Sequence, residues 1–324
     1  MIASSLYPLK FYPILKNKIW GGEKLQKLLG KASNSTHVGE SWEISDVEGD
    51  TSIVSNGDLK GKSLKQLLEV FKADLIGHKN YTHFGNKFPL LIKFIDAKQD
   101  LSIQLHPNDA LAAERHNSFG KTEMWYVMQA DQDSNLIVGF NQKVTPEKYL
   151  QHLKDKTLTD VLNFDKVKKG DTYFIEVGRV HAIGAGVMLA EIQQTSDVTY
   201  RIYDWDRVDD KGNARELHND LAIDAIDFNM KDDFRVSYQK SKNNTNQMVS
   251  CQYFTTNYLN INAALKKENT KDSFVIYICI EGELEIETNH TSDILKKGET
   301  ILIPAAIENY ILKSNHAEVL EVFV

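Results

Sequence analysis

Short runs rich in Ile, Val, Leu, Phe and Tyr, each broken by Gly, Asn or Asp, recur along most of this chain. Pro89–Asp96, Leu101–His106, Met124–Gln129, Asp171–Val177, Val187–Gln193 and Thr199–Asp204 all have this form. Runs of this length and composition between turn residues are strand signals, so the chain is expected to be mainly β. Helices enter as insertions. Ser63 stands as an N-cap before Leu64, Leu67, Leu68 and Phe71. Thr145 and Pro146 have the order of N-cap and first helical residue. Leu217, Leu221, Ile223, Ile226 and Phe228 have near-helical spacing, which predicts a helix within Ala214–Phe228.

A chain of 324 residues is long enough for two domains. Lys240–Gln247 is short and polar and reads as a linker. It divides a larger part, residues 1–240, from a smaller all-β part, residues 248–324. The second part has its own runs at Tyr253–Asn257, Phe274–Ile280, Leu284–Glu287, Thr300–Pro304 and Val319–Val324.

With 38 Lys and Arg against 45 Asp and Glu, the net charge is -7. Nucleic acid and anionic membranes both require a basic footprint, so neither is expected as a partner. A small anion needs only a local group of cations. Cys251 and Cys279 lack metal or redox spacing, and both are expected to be buried free thiols. Met1–Lys10 lacks the basic-then-apolar pattern of a secretion signal, and no apolar run reaches the ~18 residues of a membrane span. These features point to the cytoplasm.

Three segments carry candidate chemistry. In Leu101-Ser-Ile-Gln-Leu-His-Pro107, strand alternation puts Leu101, Ile103 and Leu105 on one face and Ser102, Gln104 and His106 on the other. Pro107 ends the run. In Lys121-Thr-Glu-Met-Trp-Tyr-Val127, Glu123 shares a face with Trp125 and Val127. In Gly170–His181, Gly170 and Gly178 read as turns, the second presenting His181. Each alone has an ordinary reading, as a solvated strand edge or a satisfied polar residue.

Together the segments resemble the two cupin motifs. Gly170, Gly178 and His181 match the second motif, with Glu176 where proline is usual. Glu123 matches the ligand position of the first, with Ala130 where glycine is usual. Gln104-x-His106 replaces the usual His-x-His. That replacement, followed by Lys121-x-Glu123 and Gly178-x-x-His181, resembles the type I mannose-6-phosphate isomerases in their short bacterial form. Trp20-Gly-Gly22, Gly39-Glu-Ser-Trp-Glu43 and Thr195–Arg201 extend the likeness, with Val198 where that family has Asn.

The resemblance implies two cupin-type β-barrels (jelly rolls) with helical insertions. It implies one zinc ion per chain on Gln104, His106, Glu123 and His181. Two imidazoles with oxygen donors suit zinc without excluding other divalent first-row metals. A phosphorylated hexose is the implied substrate, with mannose 6-phosphate and fructose 6-phosphate interconverted through an enediol(ate). Arg201 is implied to stabilise that charge. Glu191, Lys121 and a water at the metal all stand as candidates for the proton transfer. Lys93, Ser102 and Arg207 match positions facing the phosphate, Arg207 standing where lysine is common.

The second part echoes the motif at Gly298-Glu-Thr-Ile-Leu-Ile-Pro304 and onward, with Ala306 at the glycine and Asn309 at the histidine. Seven residues before Gly282, Val275 stands where the glutamate would be. A second barrel without metal is therefore expected. Three other readings remain open: a metal-containing sugar-binding cupin without catalysis, a cupin oxygenase, which Gln104 disfavours, and an isomerase for another aldose phosphate. The sequence leaves the oligomeric state open.

Overall fold

The computed structural model describes residues 6–208 and 211–324, so residues 1–5 of the Met1–Lys10 stretch lie outside the described residues. The β texture is borne out: two antiparallel sheets fold over one another in the first part. In spatial order the six-stranded sheet runs Ile14–Gly22, Val38–Ile44, Leu90–Asp96, Val187–Gln194, Glu123–Ala130 and Thr172–Ile175. The five-stranded sheet runs Tyr200–Tyr203, Ile103–Leu105, His181–Ile183, Asn135–Phe140 and Leu162–Lys166.

Alternation sorts the side chains into layers. Trp20, Ile95, Trp125, Val127, Leu189, Leu136, Val138 and Ile183 pack together between the two sheets. On the outside of the five-stranded sheet, Ile103, Leu105, Ile137, Phe140 and Ile202 meet Tyr149 of the helix Pro146–Lys154. On the outside of the six-stranded sheet, Ile92, Phe94, Met124, Tyr126 and Ile192 meet the helix Leu64–Phe71 and the second part of the chain. Both expected caps are present: Ser63 forms a reciprocal capping box with Gln66, and the Thr145 side chain accepts from the Lys148 N–H.

The second part is an eight-stranded antiparallel sheet curled around Leu259, Tyr277, Leu284, Ile301, Leu312 and Val319. Its longest strand, Val275–Glu287, is apolar on both faces at its start. Val275, Tyr277 and Cys279 enter its own barrel; Ile276, Ile278 and Ile280 enter the layer shared with the first part. That double burial explains the uninterrupted run Val-Ile-Tyr-Ile-Cys-Ile. Ile278→Ala removes buried methylenes from the shared layer and is expected to cost about 2–5 kcal/mol, read as a lower urea midpoint at unchanged slope.

The structure corrects several local expectations. Phe274–Ile280 and Leu284–Glu287 belong to a single strand: a register shift between Cys279 and Glu281 carries it through Gly282, which sits at φ +73. A Cβ at Gly282 would lie 2.1 Å from the His316 carbonyl oxygen. Lys240–Gln247 is not a free linker. Asn246 opens the strand Asn246–Ser250, and its buried amide donates to the Ser241, Asn244 and Tyr258 carbonyls at 2.9–3.2 Å. Leu9 exchanges backbone hydrogen bonds with Leu302, so the start of the chain pairs with the second part. Within Ala214–Phe228 the helix is confined to Asn219–Ala222. Leu221, Ile223, Ile226 and Phe228 still pack on the first barrel, but from irregular backbone, which produces the same apolar spacing. The run Leu101–His106 has only Ile103–Leu105 in ladder geometry. Both cysteines are free, Cys279 buried and Cys251 half-buried. Among the described residues, no helix is long and apolar enough to cross a membrane.

Candidate active site

Two cross-strand rows build the site. In the five-stranded sheet Arg201 is opposite Gln104, and Gln104 is opposite His181. In the six-stranded sheet the row is Trp42, Lys93, Glu191 and Trp125. Glu123 opens its strand opposite Gln193, one alternation from Trp125. The sheets face each other, so side chains distant in sequence converge on a cavity of about 310 Å³.

His106, Glu123 and His181 offer ligand atoms that all lie within 4.8 Å of one another, and each side chain is only 1% exposed. The Nε2 atoms of His106 and His181 are each 3.6 Å from a Glu123 oxygen. Second partners fix both tautomers. Nδ1 of His106 donates to the Val198 carbonyl at 2.9 Å, and Nδ1 of His181 donates to the Arg179 carbonyl at 2.8 Å. Each Nε2 therefore presents a lone pair inward. The Gln104 carboxamide is 3.4 Å from His181 Nε2, and turning that near-symmetric group over presents its oxygen at the same point.

Backbone chemistry locks these positions. The Gly178 N–H donates to the His106 carbonyl at 2.8 Å, joining the two histidine segments. Gly178 sits at φ +77, and a Cβ there would lie 2.3 Å from the Ala225 carbonyl oxygen.

Burial, then the Lys121 charge, holds His106 well below the usual imidazole range, and burial lowers His181 to about 4. Both rings are thus neutral at pH 7, the form that can bind a metal ion. Burial and then Glu191 push the Glu123 carboxyl up to about 7, against Lys121 and Lys93. His106 Nε2 is buried without a hydrogen-bond partner, and the Glu123 Oε2 beside it has only the Lys121 ammonium at 3.3 Å, so a cation seated between them would satisfy the imidazole lone pair and the remaining carboxylate lone pairs. Two neutral imidazoles, a carboxylate and an amide oxygen fit a divalent first-row metal ion, zinc among them.

Beside this cluster the charges are paired. Glu191 accepts from Lys93 at 3.1 Å and from the Trp125 indole N–H at 2.9 Å. Burial raises its pKa, but Lys93 and Lys121 outweigh burial and hold it below the usual range. Glu40 accepts from the Trp42 indole at 2.7 Å and pairs with Lys18 at 3.3 Å. Lys121 is 3.3 Å from Glu123. Burial works against the Lys93 charge, yet Glu191 and Glu40 raise its pKa. The Arg201 guanidinium is lowered by burial and by Arg215; its Nη1 donates to the Glu216 carbonyl at 2.8 Å.

Of the residues singled out in the sequence, Lys93, Ser102, Gln104, Lys121, His181, Glu191 and Arg201 line the cavity, with His106 and Glu123 completing the metal-type cluster. Arg207 does not line it. Its three nitrogens donate to the Asp204 carbonyl, the Asp100 carbonyl and the Asp204 carboxylate. Lys18, Trp20, Glu40, Asp197, Thr199 and Arg215 line it without having been assigned a role. For Glu40 a signal was present: alternation within Gly39–Glu43 sends Glu40 to the cavity and Glu43 to a buried pair with Lys31 at 2.7 Å. Arg215 was hidden in the segment that resembled a helix. In the second part, Val275 lies in the barrel core and Asn309 is exposed.

Comparison with known proteins gives the same picture from outside. Residues 9–157 match the family model for the phosphomannose isomerase type I catalytic domain, and residues 243–324 match that for the mannose-6-phosphate isomerase cupin domain. The chain is 35% identical over 309 residues to mannose-6-phosphate isomerase ManA of Bacillus subtilis (strain 168), covering 94% of this chain and 96% of the relative. It is 34% identical over 304 residues to mannose-6-phosphate isomerase of Streptococcus mutans serotype c, covering 94% of each. The crystal structure of mannose 6-phosphate isomerase from Bacillus subtilis superposes with a TM-score of 0.88 at 32% identity, covering 98% of this chain and 100% of that one. With likeness over nearly the full length of each relative, and with both domain models matched in order, the chain belongs to the type I phosphomannose isomerase family.

Proposed function

We propose that this chain interconverts mannose 6-phosphate and fructose 6-phosphate by moving a proton between C1 and C2, with one zinc ion held by Gln104, His106, Glu123 and His181. The observation that carries the reading is the buried set of two inward-facing Nε2 lone pairs around the Glu123 carboxylate, beside a row of acid, base and guanidinium groups. Bound there, zinc supplies Lewis acidity toward the sugar oxygens.

The chain's own residues do the rest. Glu191 is held ionised and oriented by Lys93 and Trp125, and takes the carbon-bound proton onto a carboxylate oxygen. Lys121, an ammonium beside Glu123, exchanges the proton at the substrate oxygens. Arg201 faces the enediolate with fixed N–H donors; its Nε is buried and has no protein partner. Its Nη1 bond to the Glu216 carbonyl fixes the plane of the group. Walls of Trp20, Trp125, Ile95 and Ile183 limit water around the reacting carbons. Residues 1–240 form the catalytic unit in this reading, and 248–324 a supporting barrel without metal.

A coupled assay with mannose 6-phosphate, before and after chelation and with zinc added back, tests this. Turnover is expected to vanish on chelation and return with zinc. Zinc-replete protein that binds sugar phosphates but turns over none would replace the isomerase reading with that of a sugar-binding protein.

A further inference from the structure

The cations of the cavity are unevenly opposed. Lys93 has Glu191 and Glu40, Lys18 has Glu40, and Lys121 has Glu123. On the other side, among the described residues, three guanidiniums of Arg201, Arg207 and Arg215 gather around the buried carboxylate of Asp204. Two further carboxylates are near: Asp197 lines the cavity, and the Glu216 side chain points out to solvent, 83% exposed, where its charge is screened.

The three arginines are not equivalent. Arg207 has a protein acceptor for each nitrogen and stands outside the lining, so it acts as a strut between Asp204 and the Asp100 backbone. Arg215 lines the cavity and spends one edge on Asp204: Nε donates to Oδ2 at 2.7 Å, and Nη2 donates to Oδ1. Among the described residues, its Nη1 has no acceptor, which leaves the edge between Nη1 and Nη2 with one N–H on each nitrogen. Two parallel N–H groups on a fixed plane match two oxygens of a phosphate. The backbone links this group to the reacting end, because the residue after Arg215 supplies the carbonyl that holds Arg201.

We propose that Arg215 binds the phosphate of the substrate through its free edge, with Asp204 as the positioning residue that orients the guanidinium. The identity of the ligand rests on the isomerase reading above; the free guanidinium edge does not. The assignment moves the grip away from Arg207, which stands outside the cavity lining with a protein acceptor on each nitrogen, and from Lys93, whose charge is matched by Glu191 and Glu40. Ser102, on the same cavity, adds a hydroxyl.

The test uses the zinc-replete full chain with Arg215→Met and Arg215→Lys, inorganic phosphate being the probe. Arg215→Met is expected to raise both KM for mannose 6-phosphate and the competitive Ki of inorganic phosphate by about 100-fold, with a much smaller change in kcat. Arg215→Lys should recover part of both, since it restores charge but not the fork. Asp204→Asn should raise both constants by about 10-fold, as loss of an orienting partner does. A fall in kcat and melting temperature with unchanged Ki would mean that Arg215 only braces its loop, and would overturn the proposal. Calorimetric titration of inorganic phosphate into wild type and Arg215→Met separates the two readings. Weaker binding in the variant from a protein that shows no turnover would sink the isomerase reading and keep Arg215 as an anion contact; equal binding in both would remove Arg215 whatever the turnover.

Discussion

His181→Ala is expected to lose bound zinc and turnover together. The substitution deletes one of two buried Nε2 lone pairs and leaves His106 and Glu123 facing a gap where the third ligand atom stood. Lewis acidity worth several kcal/mol leaves with the ion, so kcat/KM should fall by about 10³-fold or more. Metal content by mass spectrometry after gel filtration should fall to background. The His181 ring also packs against Trp125, at 5.3 Å between ring centroids, so a thermal melt must accompany the assay. Asn309→Ala is the matched control on the exposed face of the second barrel: zinc and kcat should stay at wild-type levels. Loss of zinc in that variant would refute a metal-free second barrel; a full zinc complement in His181→Ala would strike His181 from the ligand set.

The second large effect is expected from Glu191→Gln. The amide keeps the size of the carboxylate and keeps an acceptor for the Trp125 N–H, but it cannot take a proton. The loss in kcat should be about 10²–10⁴-fold, with zinc content unchanged. Lys93 keeps Glu40 as a counter-charge, so the fold should survive the change. Exchange of the C2 proton with deuterated solvent gives a second readout, and it should slow by the same factor. Exchange at the wild-type rate would transfer the base role to Lys121 or to solvent. A melting temperature far below wild type, with exchange intact per folded molecule, would mean that Glu191 matters only as the partner of Lys93.

Much of the site was legible because strand geometry is a local property. A period of two put Ser102, Gln104 and His106 on one face and Glu123 with Trp125 on another, and the structure keeps both faces. Gly178 was legible as a turn because only a residue without Cβ tolerates its conformation and the nearby Ala225 carbonyl. The caps at Ser63 and Thr145 were legible for the same reason, since each bond closes within three residues. Ala214–Phe228 was misread because apolar spacing reports which residues are buried, not which backbone buries them.

The local pattern of this sequence determined its β texture, the helix starts at Ser63 and Thr145, the turns at Gly170 and Gly178 and the shared face of Gln104 and His106, all of which depend on neighbours within a few residues. Tertiary structure alone decided what those inward groups meet. Glu123 meets His106 and His181 at 3.6 Å because two sheets close on one another; Lys93 is neutralised because its register partner is Glu191, 98 residues away. Arg207 became a strut and Arg215 a cavity wall because Asp204 lies between them. Charge and lone pairs act through space over a few ångströms, and distance in space is the quantity a linear sequence does not carry.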